Sequence, residues 1–311
     1  MKLVILDAAV IGNDLDLSRL EQFGDLEIFS HTKSEQIHER SFDANIIITN
    51  KVIFDSEQLK QLPNLKLICI AATGMNNIDL DFCREAGIAV KNVLGYSTES
   101  VAQLTLTFAL NFLGNIQKYN EFTKEDKWIK SSGFTQLDYP IADLSQKKWG
   151  IIGMGTIGRR VAEIACAFGA EVSYFSTSAK NNKNKYPQVE LKCLLESSDI
   201  ISIHCPLNEN TNDLLNASNL SLISENSILI NVGRGSIINE KDLFDLLRSK
   251  NIYVGLDVIE NEPMVEGSYS QKLARHENVI MTPHIAWASL ESRNKLLDGI
   301  IENITQTLTL G

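Results

Sequence analysis

The chain has 311 residues, 44% of them apolar and 22% charged, with a formal net charge of −10. That composition is globular and long enough for about two domains. The acidic balance excludes a phosphate-neutralising nucleic-acid surface and speaks against an anionic membrane partner, so a small anionic ligand has to be drawn in by local cations.

Short apolar runs alternate with longer amphipathic stretches, the pattern of parallel strands joined by helices. Strands are predicted at residues 2–6, 26–29, 46–49, 67–70 and 89–91. One long helix is predicted over 97–119, with Ser97 and Thr98 as caps. A second set of strands is predicted at 148–152, 171–175, 200–204, 227–231, 253–256 and 279–281. From about residue 286, Leu290, Leu296, Leu297, Ile300 and Ile304 recur with helical spacing. The polar cluster at 181–185 reads as a solvated loop. The fold class is therefore α/β, with two doubly wound parallel-sheet domains.

Five cysteines (Cys69, Cys83, Cys166, Cys193 and Cys205) form no C-x-x-C pair. They point to a reduced, cytoplasmic protein without a structural metal. No apolar run approaches the roughly 18–20 residues of a membrane span, and the opening residues lack a signal peptide's pattern.

Ile151-Ile152-Gly153-Met154-Gly155-Thr156-Ile157-Gly158 is a G-x-G-x-x-G between a predicted strand and an amphipathic helix. In that setting Gly153 permits the tight turn, Gly155 lets a pyrophosphate approach, and Gly158 lets the helix pack on the strand. The N–H groups of Thr156 and Ile157 would meet the phosphate at the helix's positive end. The acid that usually follows about 20 residues on, to bind the ribose of NAD, is missing. Ser176-Thr177-Ser178-Ala179-Lys180 stands there instead. Hydroxyls backed by a lysine can accept a 2′-phosphate, so the cofactor is expected to be NAD(P)H with NADPH favoured.

Three charged residues follow three later predicted strands. They are Arg234 in Asn231-Val232-Gly233-Arg234-Gly235, Glu262 before Pro263, and His284 in Thr282-Pro283-His284-Ile285. Loops at the carboxyl ends of parallel strands converge on the ligand crevice, so an Arg, an acid and a His are expected beside the cofactor. His204 reads as structural.

These segments, with Ala72-Thr73-Gly74-Met75-Asn76-Asn77-Ile78-Asp79, Asn92-Val93-Leu94-Gly95-Tyr96-Ser97-Thr98 and His204-Cys205-Pro206-Leu207, resemble the D-isomer-specific 2-hydroxyacid dehydrogenases, a family that includes glycerate dehydrogenases and hydroxypyruvate reductases. The resemblance implies that Arg234, Glu262 and His284 are catalytic. It implies a flavodoxin-like substrate domain, residues 1–97 with 286–311, and a Rossmann dinucleotide domain, residues 98–285. Cofactor contacts are expected from the glycine loop, residues 176–178 and Lys180, and from Cys205, Pro206, Thr211, Val232, Gly233, Arg234, Asp257, His284 and Ala286. Thr73, Gly74, Met75 and Trp287 are expected on the substrate side with Arg234 and His284. Asn76 stands where many members have Asp, and Gln103 where V-A-E is usual. The segment around 119–143 resembles the family's dimerisation arm, which implies a homodimer. The reaction implied is interconversion of a small 2-keto acid, hydroxypyruvate or glyoxylate, and its 2-hydroxy acid. A phosphite dehydrogenase-like enzyme and a cofactor-sensing co-repressor are the competing readings.

Overall fold

The computed structural model describes residues 1–178 and 185–310. The chain divides into two compact units, Met1–Ser97 with Trp287–Gly311, and Thr98–Ala286. The second boundary lies one residue beyond the expected one. Ala286 belongs to the larger unit because its side chain is buried in that unit's core and its N–H donates to Asp257 Oδ2 at 2.9 Å.

In the first unit β1 (Lys2–Ile5), β2 (Asp25–Ile28), β3 (Ile46–Thr49), β4 (Leu67–Ile70) and β5 (Ala89–Lys91) form one sheet in the order β2-β1-β3-β4-β5. All four pairings are parallel. The central strands Ile46–Thr49 and Leu67–Ile70 are buried along their whole length, as a sheet covered on both faces requires. Period-two alternation sends Leu3, Ile5, Ile46, Ile48 and Leu67 to one face and Val4, Ile47, Ile68 and Ile70 to the other. The helix Leu290–Leu310 returns to this unit and buries Leu296, Leu297, Ile300 and Ile304 on the first face. Leu290, which has the same spacing, is exposed because it lies in the helix's first turn, ahead of the stretch that packs.

The second unit opens with Thr98–Gly114 and Ile116–Lys124, two helices where the periodicity predicts one. The break is at Asn115, whose φ of 47° ends the helical ladder. Its side chain donates to Pro140 O at 2.6 Å, which ties the break to the returning chain.

The second sheet contains β6 (Lys148–Ile152), β7 (Glu171–Phe175), β8 (Ile200–Ile203), β9 (Ile228–Asn231), β10 (Tyr253–Leu256) and β11 (Val279–Met281). Its order is β11-β10-β9-β8-β6-β7, with every pairing parallel. An isolated parallel bridge from Tyr174 to Gln188 adds the rudiment of a further strand outside β7. With it the order becomes that of a dinucleotide-binding sheet, and the direction in which successive strands are added reverses between β6 and β8. Trp149 in β6 is fully buried and donates its Nε1–H to Ser202 Oγ at 2.8 Å, which ties these two strands together under the crevice.

Candidate active site

The glycine turn lies at the reversal point. A Cβ on Gly153, which has φ 96°, would come 2.6 Å from Cys205 N, and one on Gly158 would strike Gly153 O. Those two glycines are demanded by the fold itself. Gly155 is different: φ is −78°, and a Cβ there would meet no protein atom within 4 Å. Only an approaching ligand would be obstructed by a side chain at that position. The helix Thr156–Ala167 begins immediately after it, with its first N–H groups unspent on the helical ladder. Open space beside glycine backbone at a helix N-terminus fits a dinucleotide pyrophosphate.

Past β7 no carboxylate follows: Ser176 Oγ donates to Ser178 O, and Thr177 lies between them. Lys180 lies outside the described residues.

The three charged residues come from loops after β9, β10 and β11, and the structure joins those loops directly. Gly235, next to Arg234, packs so closely on the backbone of Ile259 and Glu260 that a Cβ would overlap it. The buried Glu240 accepts the N–H of Glu260 at 2.8 Å and the hydroxyl of Ser270 at 2.5 Å, holding the same loop from behind. Glu262 Oε1 accepts the N–H of Ile259 at 3.2 Å, and its Oε2 accepts His284 Nδ1–H at 2.6 Å. The carboxylate can only accept, so Nδ1 carries a proton and Nε2 is left for other chemistry. His284 has φ 54°, a left-handed backbone that is unfavourable for a residue with a side chain. Its N–H donates to Asp257 O at 2.8 Å and Thr282 O at 3.0 Å, which over-determines that conformation. Arg234 is exposed and its Nη1 donates to the adjacent Gly233 O at 2.8 Å. Among the described residues no carboxylate pairs with it.

Several expected contact residues prove to be supports. Asp257 is 1% exposed, and its oxygens accept Thr282 Oγ1–H at 2.6 Å, Ile285 N–H at 2.8 Å and Ala286 N–H at 2.9 Å. Its carboxylate therefore organises the histidine loop. Thr211 is wholly buried, its Oγ1 donating to Pro206 O at 2.7 Å and accepting Asn208 N–H at 2.8 Å, so its side chain shapes a turn instead of meeting a ligand. Cys205, Val232 and Ala286 are buried and can offer a ligand little beyond backbone, whereas Pro206 is exposed and Gly233 half-buried. Burial pushes the Cys205 thiol up to about 11. Glu240 is missed by sequence reasoning, because an acid in a helix's first turn reads as an ordinary dipole partner.

His204 takes the structural role. Its Nε2 lies 2.9 Å from Ser202 Oγ, the group that already accepts from Trp149. Burial pushes its pKa down to about 3, so the ring is neutral in the fold.

In the first unit the loop after β4 carries Thr73, Gly74 and Met75. Trp287 lies edge-on to Tyr96, ring centroids 6.3 Å apart, and packs against the core on which the C-terminal helix sits. Among the described residues no group of three or more His, Cys, Asp or Glu could hold a metal, and no helix is long and apolar enough to cross a membrane.

The profile for the NAD-binding domain of D-isomer-specific 2-hydroxyacid dehydrogenases matches residues 106–286. The chain belongs to this family, whose members are oxidoreductases acting on the CH–OH group of 2-hydroxy acids with a nicotinamide cofactor. A Haemophilus influenzae relative placed among the 2-hydroxyacid dehydrogenases is 38% identical, over 98% of each chain. The hydroxypyruvate reductase of Blautia hydrogenotrophica is 35% identical over 99% of this chain and 97% of its own. Among solved structures, the Aquifex aeolicus D-lactate dehydrogenase complexed with NAD and lactic acid superposes with a TM-score of 0.83 at 27% identity, covering 99% of this chain and 96% of that one.

Proposed function

We infer that the enzyme reduces hydroxypyruvate or glyoxylate to D-glycerate or glycolate, with NADPH favoured over NADH, as a cytoplasmic homodimer. The observation that carries the chemistry is the 2.6 Å pair of His284 Nδ1 and Glu262 Oε2, in a loop cluster that also presents Arg234, which pairs with no carboxylate among the described residues. The substrate reading is supported by the hydroxypyruvate reductase relative. The cofactor reading is supported by hydroxyl residues at 176–178 where an acid would repel a 2′-phosphate. The dimer reading is supported by segment 128–141, where Trp128, Ile129, Phe134, Leu137 and Ile141 are all exposed. The compartment reading rests on five free cysteines.

The glycine loop, Ser176, Thr177, Ser178, Lys180, Pro206 and Gly233 would hold the cofactor. When bound, it supplies the hydride that adds to C2 of the keto acid. Arg234 grips the carboxylate and the carbonyl oxygen with its planar fork and stabilises the negative charge that builds on that oxygen. His284 gives the proton on Nε2 to the same oxygen; in the oxidation direction Nε2 takes it back. Glu262 fixes the ring and stabilises its cationic form during the exchange. Backbone N–H groups of Thr73, Gly74 and Met75 receive the substrate carboxylate, and Trp287 walls the substrate side.

One panel tests this: hydroxypyruvate, glyoxylate, pyruvate and a branched 2-keto acid, each with NADH and NADPH. Hydroxypyruvate or glyoxylate with NADPH should give the highest kcat/KM. A preference for the branched acid would reject the substrate, and a preference for NADH would reject the role given to residues 176–180. Sedimentation at micromolar concentration should show a dimer.

A further inference from the structure

We propose that Asn50, braced by the buried Asp7, is a positioning residue for the substrate carboxylate. It anchors the loop at 72–77 so that the loop's N–H groups stay open to an anion. The proposal rests on the reading that this loop receives the carboxylate.

The loop spends its two kinds of backbone group unequally. Ala71 O accepts Asn50 Nδ2–H at 2.5 Å, and Thr73 O accepts Asn92 Nδ2–H at 2.5 Å. Ala72 O accepts the N–H of Val93 at 3.2 Å, Met75 O that of Ile78 at 3.2 Å, and Asn77 O that of Phe54 at 2.9 Å. Among the described residues none of the N–H groups of 72–77 donates a hydrogen bond. Backbone donors left by the protein are satisfied by water or a ligand, and successive free N–H groups make an anion-binding concavity. With their oxygens already engaged, the carbonyls of Ala72, Thr73, Met75 and Asn77 are not free to turn towards the anion.

Asn50 acts at the loop's root. Strand pairing ends at Thr49 with Ile70, and the N–H of Ala71 still donates to Thr49 O at 2.8 Å. The Asn50–Ala71 bond lies beyond the ladder, so the sheet does not need it; it sets the direction in which the chain leaves the sheet. Asp7 fixes Asn50 in turn. It is 6% exposed and accepts the N–H of Asn50 at 2.9 and 3.0 Å, the N–H of Lys51 at 2.6 Å and the hydroxyl of Thr49 at 3.2 Å. A buried carboxylate satisfied by three neighbouring donors holds those residues in one arrangement.

The test uses the full chain with Asn50→Leu, which removes the donor at similar volume, and Asn50→Ser, which keeps a hydroxyl donor. The probes are hydroxypyruvate turnover, cofactor affinity by fluorescence, and amide hydrogen exchange of residues 72–77 with and without oxalate. Asn50→Leu should raise KM about tenfold, the scale of one lost hydrogen bond. It should leave cofactor affinity unchanged and abolish the slowing of exchange by oxalate; Asn50→Ser should recover part of the KM loss. An unchanged KM, a parallel loss of cofactor affinity, or oxalate protection that persists in Asn50→Leu overturns the proposal. If Asn50→Leu does not fold, Asn50→Ser carries the same readings, with a smaller KM rise required. A wild type inactive on every 2-keto acid would reject the proposed function, whereas a wild type without oxalate protection at 72–77 would reject the cradle.

Discussion

The loop at 72–77 and the loops carrying Arg234, Glu262 and His284 all follow parallel strands, yet they are made from different groups. The first offers backbone N–H donors, held by the neutral amides of Asn50 and Asn92. The others offer charged side chains, held by the buried acids Asp257 and Glu240 through backbone donors. A fixed anion such as a carboxylate can be met by dipoles that never change protonation state. An oxygen that gains and loses a proton needs a group that titrates, and that group needs a charged partner to orient it. The contrast predicts that damage to the charged loops strikes turnover, while damage to the amide loop strikes substrate affinity.

The largest expected effect is that of His284→Ala. Its kcat should fall at least ~100-fold, the usual scale for a general acid, with cofactor affinity retained. Near-normal stopped-flow turnover would remove the proton-carrier role and the contrast with it. Glu262→Gln comes next: loss of a charged hydrogen bond of ~1.5–3 kcal/mol corresponds to roughly 10- to 100-fold in kcat. A change confined to KM would place Glu262 with the amide loop instead. Within the glycine turn, Gly155→Val should weaken cofactor binding by about tenfold, near 1.4 kcal/mol, at unchanged Tm. Gly153→Ala should lower Tm, because Cys205 occupies the space its Cβ needs. Equal Tm losses in both would show that Gly155 is a folding residue. The smallest effect concerns pH. His204 has its folded pKa depressed to about 3, so the unfolded chain binds the extra proton between about 3 and its ordinary value near 6.5. Stability from the neutral ring is thus present above about pH 6.5 and lost as pH falls through that window. His204→Gln should flatten that part of an acid-unfolding curve, and an unchanged slope would mean the ring is solvated.

The strands were legible because a buried parallel strand must be apolar: residues 200–204 and 227–231 mark Ile200–Ile203 and Ile228–Asn231 to within a residue. The break at Asn115 was not. Leu113-Gly114-Asn115-Ile116 keeps helical spacing across it, and the left-handed turn depends on a hydrogen bond to Pro140, distant in the chain. Arg234, Glu262 and His284 could be named from short segments, each with its own local pattern of glycine or proline. Asp257 could be named, but not its part in organising the histidine loop, because its three donors lie 25 to 29 residues downstream.

By itself, then, the sequence determined two parallel-sheet units, a glycine turn between a strand and a helix, and the Arg, Glu and His of the proposed catalytic site. Those features are local, set by side-chain period and by glycine's backbone freedom. Tertiary structure alone decided which nitrogen of His284 faces Glu262, which glycines the fold demands and which it leaves beside open space, and which buried acids hold the loops. Each depends on groups far apart in sequence meeting within about 3 Å, the range of a hydrogen bond.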